Sequence, residues 1–441
     1  MSTPTLFTLK RFSKVVTASF ALFILSVSVC NAQEPHSLTL SEAYDLALKQ
    51  SELLQRRTEA IKEAKARYDE AIAALYPNVH ALASQRFRNT AQLGGSPSTG
   101  DINNDSGSYR TGSKHPVETS IFVRQPIFTG FREHYLAAAS KGEMIAIGYD
   151  QTRDRQLLYE DVADVFNQIL YYTDDLKILR KTEDVFKRRI EELRQFIKLG
   201  KSRDSEIDAA QSDVADLGAT EARVTGLLGA SKELLAFLIG KEASTFKLEG
   251  APSLEVIPTL EDSLTRARER ADIKANKARV DSAGKEIVAA ERERWPVISL
   301  DGNYYPYEDP DSDRQWDVVF RFDLPLYEGG AIDARVEQYR AKARAAALLT
   351  QENSRAAERE VRVAYNNVTA AKAELTKLES LVETTRKNYE AQRRDYELGV
   401  VTNLEVLTAI RSIQEAERRR LEAQTILRNN IVKLRVASGE I

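Results

Sequence analysis

Histidine is the first side chain to test for chemistry, and the sequence holds four: His36, His80, His115 and His134. A catalytic zinc site needs two histidines one helical turn apart, as in His-Glu-x-x-His, and none of the four has a partner at such a spacing. No Gly-x-Ser-x-Gly elbow, P-loop or dinucleotide fingerprint occurs either. Asp and Glu number 66 against 63 Lys and Arg, but carboxylates on solvated helix faces fall into pairs by chance, so none is assigned acid–base work. The expectation is a protein that is not an enzyme and carries no cofactor and no metal. A formal charge of -3 gives no overall field to draw nucleic acid or anionic lipid.

The single cysteine, Cys30, follows a segment with the pattern of an export signal. Lys10, Arg11 and Lys14 precede an apolar run from Val15 to Val29, and Cys30-Asn31-Ala32 offers small residues for cleavage after Ala32. The run falls short of the roughly 20 residues a spanning helix needs, and no later segment is long and apolar enough to span as one. Cleavage after Ala32 removes the only thiol, and with it any disulfide or Cys-bound metal. The alternative makes Cys30 the lipid-acylated first residue of a lipoprotein, against which stands Val29 where a small residue is wanted. Either route leads beyond the inner membrane.

The rest of the chain contains one design twice. Gln125-Pro126-Ile127-Phe128-Thr129-Gly130 recurs as Leu324-Pro325-Leu326-Tyr327-Glu328-Gly329, and Leu199-Gly200 recurs as Leu398-Gly399, both displaced by 199 positions. Tyr76-Pro77-Asn78-Val79 and Trp295-Pro296-Val297-Ile298 are displaced by 219 instead. The difference falls at about 89 to 117, a stretch crowded with Gly, Ser and Asn that reads as a solvated loop, with the short turn Glu308 to Asp313 as its counterpart. The expected domains are a signal peptide over 1–32, a first repeat over 33–250 and a second over 251–441. Each repeat runs helix, strand, loop, strand, long helical hairpin. Strands are expected at about 78–88 and 118–128, then 297–307 and 315–326.

Around these strands the side chains alternate. Trp316, Val318, Phe320, Phe322 and Leu324 lie on one face and Asp317, Val319, Arg321 and Asp323 on the other; Ile298, Leu300 and Tyr304 oppose Ser299, Asp301 and Asn303. Tyr304, Tyr305 and Tyr307 sit where an interfacial aromatic belt would lie. Thr119, Ile121 and Val123 alternate less cleanly with Ser120, Phe122 and Arg124. A soluble antiparallel sheet also alternates, so the pattern alone leaves both readings open. Number decides between them: four strands cannot close, and in lipid an open edge leaves backbone groups unsatisfied. Two chains would give eight strands, whose interior side chains roughly fill, whereas three give twelve and a lumen. The lipid-facing candidates are Trp316, Val318, Phe320 and Phe322.

Between Gly130 and Gly200 the chain runs without proline, enough for a helix of about 105 Å at 1.5 Å per residue. Leu158, Val162, Val165, Ile169, Leu176, Leu179, Phe186, Ile190, Leu193 and Ile197 recur at coiled-coil spacings. Val361, Ala364, Val368, Ala371, Leu375, Leu378 and Val382 do the same before Gly399. Gly200 and Gly399 mark the hairpin tips.

Taken together these residues resemble a known family, the TolC-like outer-membrane efflux proteins, the outer-membrane channels of tripartite efflux pumps and type I secretion systems. The resemblance covers essentially all of the mature chain. It is carried by Leu38-Thr39-Leu40-Ser41-Glu42-Ala43, the Pro77 and Pro296 junctions, the Gln125 to Gly130 motif and its twin, and Tyr396-Glu397-Leu398-Gly399 before Leu404-Glu405-Val406-Leu407. It implies a mainly α fold with a transmembrane β part: a homotrimer whose twelve strands, four per chain, form one β-barrel in outer-membrane lipid, and whose helices form a coiled-coil tunnel extending into the periplasm of a Gram-negative bacterium. It further implies passive conduction, energised by an inner-membrane pump of ABC, RND or MFS type through a periplasmic adaptor (membrane fusion) protein docking at the Gly200 and Gly399 tips. The family's gating acids, six positions past each tip glycine, fall on Glu206 and Glu405, and its tip tyrosine on Tyr396. The chain departs from the type member at Ala209 and Thr408, where further acids are expected, and at Val401, where an arginine is expected. Aperture candidates are thus Glu405, Glu206, Tyr396 and Thr408. The rival reading is a soluble periplasmic coiled-coil adaptor, which should carry one hairpin flanked by β-rich modules. A porin would need many more strands per chain.

Overall fold

A computed structural model describes residues 36–85, 87, 117–242, 246–250, 257–307 and 315–441. The signal segment with Cys30 and Ala32, the loop up to residue 116 and the turn after Tyr307 lie outside the described residues.

The chain starts with β1 (His36–Leu38), α1 (Leu40–Gln50) and α2 (Glu52–Ala73). Thr39 and Glu42 close a capping box on α1, each satisfying a backbone N–H of the other. Ser51 ends α1 and caps α2, accepting from the Leu54 N–H, so the expected single helix is two. Next come β2 (Asn78–Gln85), β3 (Val117–Phe128), α3 (Arg132–Lys198) and α4 (Asp204–Ile239). β4 (Phe246–Leu248) returns to pair in parallel with β1. The same order then recurs: α5 (Leu260–Ala267), α6 (Ala271–Glu291), β5 (Val297–Tyr307), β6 (Trp316–Asp323), α7 (Ala331–Glu397) and α8 (Asn403–Ser438). α3 and α7 each hold 67 residues, about 100 Å of rod.

The coiled-coil stripes are the core. Val162, Val165, Phe166 and Ile169 of α3 pack with Leu235 and Ile239 of α4 and Val432 and Val436 of α8. Nearer the tips Leu179, Phe186, Ile190 and Leu193 meet Leu217 and Val224 of α4 and Val406, Leu407 and Ile410 of α8. Val361, Val368, Leu375 and Leu378 of α7 close on Leu427, Ile431 and Leu434 of α8. Each large side chain so buried contributes about 1.5–3 kcal/mol before chain entropy is counted.

Two arginines hold the end of α8, half-buried Arg153 from α3 and buried Arg270 from the start of α6. Arg153 of α3 donates to the Val436 carbonyl (2.7 Å), and Arg270 to the Ala437 carbonyl (3.1 Å). These are among the last carbonyls of α8, where a cation also answers the helix dipole. Arg270 reaches Asp272 through two nitrogens (2.8 and 2.7 Å) and Glu360 of α7 (2.7 Å). Lower down, Arg418 grips Asp175 and Arg411 grips Asp213, both bidentate, joining α8 to α3 and α4.

Four strands form one antiparallel sheet in the order β2-β3-β5-β6. Pro126, with no N–H to give, lies where the β3–β5 register shifts. At the turn into α3 the backbone of Gly130 comes so close to Trp295 that a Cβ there would stand 2.6 Å from the Trp295 Cβ, and its φ of +61° is left-handed, so this glycine is required twice over. Direct pairing puts Ile298 opposite Phe322, Leu300 opposite Phe320, Gly302 opposite Val318 and Tyr304 opposite Trp316, one continuous apolar face. The other face holds a charge-paired cluster: Asp301 of β5, 2% exposed, accepts from Arg124 of β3 (2.9 and 3.0 Å), Arg321 of β6 (3.0 Å) and the Ser299 hydroxyl (3.0 Å). Among the described residues no helix is long and apolar enough to cross a membrane.

Candidate functional site

Both hairpins turn by the same local chemistry. After α3 the Gly200 N–H donates to the Ile197 carbonyl (2.9 Å) and the Lys201 N–H to the Phe196 carbonyl (2.8 Å); after α7 Gly399 donates to Tyr396 (3.0 Å) and Val400 to Asp395 (2.9 Å). These are Schellman closures, and they need the left-handed backbone that Gly200 (φ +68°) and Gly399 (φ +74°) supply. The two tips therefore end the long helices α3 and α7 away from the sheet, which lies at their starts.

The two acids six positions beyond these glycines have different surroundings. Glu405 turns back on its own helix start, accepting from the Thr402 N–H (2.6 Å) and the Thr402 hydroxyl (2.9 Å). Glu206 has Arg203 where Glu405 has Thr402, and its carboxylate takes the Ser202 hydroxyl (2.9 Å) and, across the hairpins, the Tyr396 hydroxyl (3.2 Å). Thr408 lies exposed, its hydroxyl bonded to the Leu404 carbonyl of the preceding turn (2.7 Å). Glu206 and Tyr396 are thus brought into contact, while Glu405 and Thr408 stay on the surface of α8.

A residue absent from the sequence reading sits at the centre of this contact. Arg189 of α3 is 4% exposed and lies against the Tyr396 ring, 3.9 Å from its centroid. It donates to the Asn403 side chain (3.0 Å) and to Glu192 (3.0 Å), and Asn403 in turn reaches the Glu206 carbonyl (3.5 Å). Phe196 packs edge-on to Tyr396 from the other side, with ring centroids 5.8 Å apart. The second terminal nitrogen of Arg189 is buried without an acceptor among the described residues. Burial raises the Tyr396 hydroxyl above its ordinary range, and the neighbouring Glu206 charge adds to the effect, so it stays a donor at physiological pH. One signal could have revealed Arg189: Leu179, Thr182, Phe186, Arg189 and Leu193 step by three and four, a strict core seam with a cation in one slot.

No group of His, Cys, Asp and Glu among the described residues is arranged to hold a metal ion. At the other pole Trp316, Val318, Phe320 and Phe322 all stand exposed on the apolar face, Phe320 at 66%.

The chain is 24% identical over 293 residues to the outer membrane protein TolC of Vibrio cholerae, covering 64% of this chain and 67% of that protein. In fold it is similar to the CusC channel (TM-score 0.76, 19% identity, 91% of this chain and 92% of that one). It is equally similar to VceC, an outer membrane protein of Vibrio cholerae (TM-score 0.76, 17% identity, 91% and 96%). The overall fold is thus shared with these channels, and the family described as outer membrane efflux protein matches residues 43–241 and 265–440; the chain belongs to that family.

Proposed function

We propose that the chain is one protomer of an outer-membrane export duct, in which three copies close twelve strands into a barrel and continue it as a helical tunnel into the periplasm. The observation that carries this reading is the sheet: β2 and β6 end it with free edges among the described residues, and one whole face of β5 and β6 is apolar and exposed. A lone sheet with open edges satisfies neither lipid nor water; closure by further copies satisfies lipid. In this arrangement Arg124, Asp301 and Arg321 line a wet lumen, and Trp316, Val318, Phe320 and Phe322 meet lipid.

The duct is passive, and the energy comes from an inner-membrane pump of ABC, RND or MFS type through a periplasmic adaptor that meets the Gly200 and Gly399 tips. Cleavage after Ala32 precedes assembly, and residues 33–250 and 251–441 act as two repeats of one unit. The aperture is held shut by Glu206 and Tyr396, with Glu405 and Thr408 on its rim. Two hairpins per chain with four strands fit a duct better than an adaptor.

The test is purification and conduction. Extraction that requires detergent, a trimer by light scattering and ion-conducting steps in planar bilayers are expected. A detergent-free soluble monomer would overturn the reading.

A further inference from the structure

The charged cluster on the sheet holds more cation than its one carboxylate uses. Asp301 takes Nε and Nη2 of Arg124 (2.9 and 3.0 Å), Nε of Arg321 (3.0 Å) and the Ser299 hydroxyl. Nη1 of Arg124 and both terminal nitrogens of Arg321 are left without an acceptor among the described residues. They stand on side chains 44% and 56% exposed, whereas the Asp301 side chain beneath them is 2% exposed. Both guanidinium groups are held in place: Arg124 by two bonds and by the Phe122 ring, 5.1 Å away, and Arg321 by its bond to Asp301. The neighbouring acids on this face do not cancel the surplus by contact. Asp317 accepts from Asn303 (2.9 Å), and neither Asp317 nor Asp323 forms an ion pair with the two arginines among the described residues. One arginine would suffice to tie β5 to a neighbouring strand and neutralise Asp301. The second brings like charge beside the first, a cost that an anion between them would offset.

We propose that Arg124 and Arg321 form a binding site for an oxyanion group, a carboxylate or a phosphate, with Asp301 as the residue that positions both. A guanidinium offers such groups paired N–H donors in a fixed fork, which a spherical halide does not use. Because Asp301 orders the two side chains beforehand, little further freedom is lost when the anion arrives. The site also stands on three paired strands rather than on a loop, which keeps its spacing. Exposure keeps the binding weak, so a solute carrying the group would pause there without being trapped. That the site lines a lumen, once per chain at one level of the barrel, rests on the duct reading. That it takes an oxyanion does not, since both arginines face solvent in either case.

The test reads binding and conduction separately on the full-length protein. In detergent solution the phosphorus NMR line of inorganic phosphate should broaden on binding. Acetate should reverse the broadening at about a tenth of the chloride concentration needed, since one added charge-assisted bond is worth about that factor. Arg321→Gln, on an exposed side chain of an edge strand, should weaken phosphate by about tenfold for the same reason. Asp301→Asn separates a positioned pair from a diffuse positive patch: it adds net positive charge but releases both guanidinium groups, so binding should weaken. Stronger phosphate binding by Asp301→Asn would overturn the positioned site, and if that variant does not assemble, Arg321→Gln carries the test alone. Acetate and chloride competing equally in the wild type, or phosphate binding unchanged in Arg321→Gln, would also overturn the site. In planar bilayers phosphate should lower the single-channel current of the wild type more than that of Arg321→Gln. Binding in solution with equal block of both channels would overturn the lumenal placement, and a wild type that binds phosphate but never conducts would overturn the duct.

Discussion

The guanidinium of Arg189 in α3 lies 3.9 Å from the centre of the Tyr396 ring at the end of α7, and Arg189 itself is only 4% exposed. A desolvated cation over an aromatic face is worth about 2 kcal/mol, and the Tyr396–Glu206 hydrogen bond adds about 1.5 kcal/mol or more because its acceptor is charged. Both bonds join the first hairpin to the second, so both are broken if the tips separate.

Tyr396→Phe should therefore keep the ring on Arg189 but lose the bond to Glu206, and Arg189→Met should lose the ring contact and the Asn403 bond. Every 1.4 kcal/mol is about tenfold in an equilibrium. Reconstituted channels are expected to open about tenfold more often with Tyr396→Phe, and more again with Arg189→Met. Single-channel recording decides; unchanged open times in both variants would remove the clasp from the gate.

Arg203 stands where the second hairpin has Thr402, and that exchange leaves Glu206 free to reach Tyr396. Arg203→Thr would give the first hairpin the Thr-x-x-Glu order of a capping box, competing for the Glu206 carboxylate. The helix start should gain about 1 kcal/mol while the aperture loosens, a rise in melting temperature together with a rise in conductance. The converse change, Thr402→Ala, should lower stability by a similar amount. Stability and conductance rising together in Arg203→Thr, with conductance unchanged in Thr402→Ala, would mark Glu206 and Glu405 as unequal partners of the gate; conductance unchanged in both would remove Glu206 from it.

Asp272 titrates below its ordinary value of 3.8: burial by itself would raise it, but the two hydrogen bonds and the charge of Arg270 outweigh burial. A carboxyl lowered in the folded state stabilises fully above the unfolded value and loses that contribution as pH falls through the folded one. Unfolding curves should show stability flat above about pH 5 and falling below pH 4, and Asp272→Asn should flatten that fall. At neutral pH the same variant should cost about 2–3 kcal/mol, less than a fully buried pair because the Asp272 side chain keeps 28% exposure. An acid limb unchanged by Asp272→Asn would assign it to other carboxylates.

Long-range periodicity was legible in the sequence, and single-residue exceptions to it were not. The α3 stripe from Val162 to Leu193 is buried along most of its length, because two-turn repetition over 67 residues leaves little ambiguity. The breaks came from local competition. Ser51 splits the first helix by capping the second half, and β6 stops at Asp323, short of the expected 326, because Pro325 has no N–H to continue a ladder. β1 and β4 hold three residues each, too few to show any period. Arg189 escaped notice because a charge in a seam is invisible to a count of apolar residues. Its partners Asn403 and Tyr396 lie more than 200 positions away.

Val319 and Phe320 are adjacent in β6 and point to opposite faces, Phe320 paired with Leu300 and Val319 with Asp301. If three chains close a barrel, Phe320 meets hydrocarbon and Val319 meets the lumen beside the Arg124–Asp301–Arg321 cluster. An arginine on the lipid face near mid-bilayer costs about 2–4 kcal/mol per copy, which a trimer incurs three times, whereas a lumen position is solvated. Phe320→Arg should abolish the outer-membrane trimer on semi-native gels, and Val319→Arg should assemble normally and alter only ion selectivity. Both changes carry the same charge one residue apart, so a soluble sheet would treat Phe320→Arg mildly, its side chain being already exposed to water. Equal assembly of the two variants would deny that this face meets lipid.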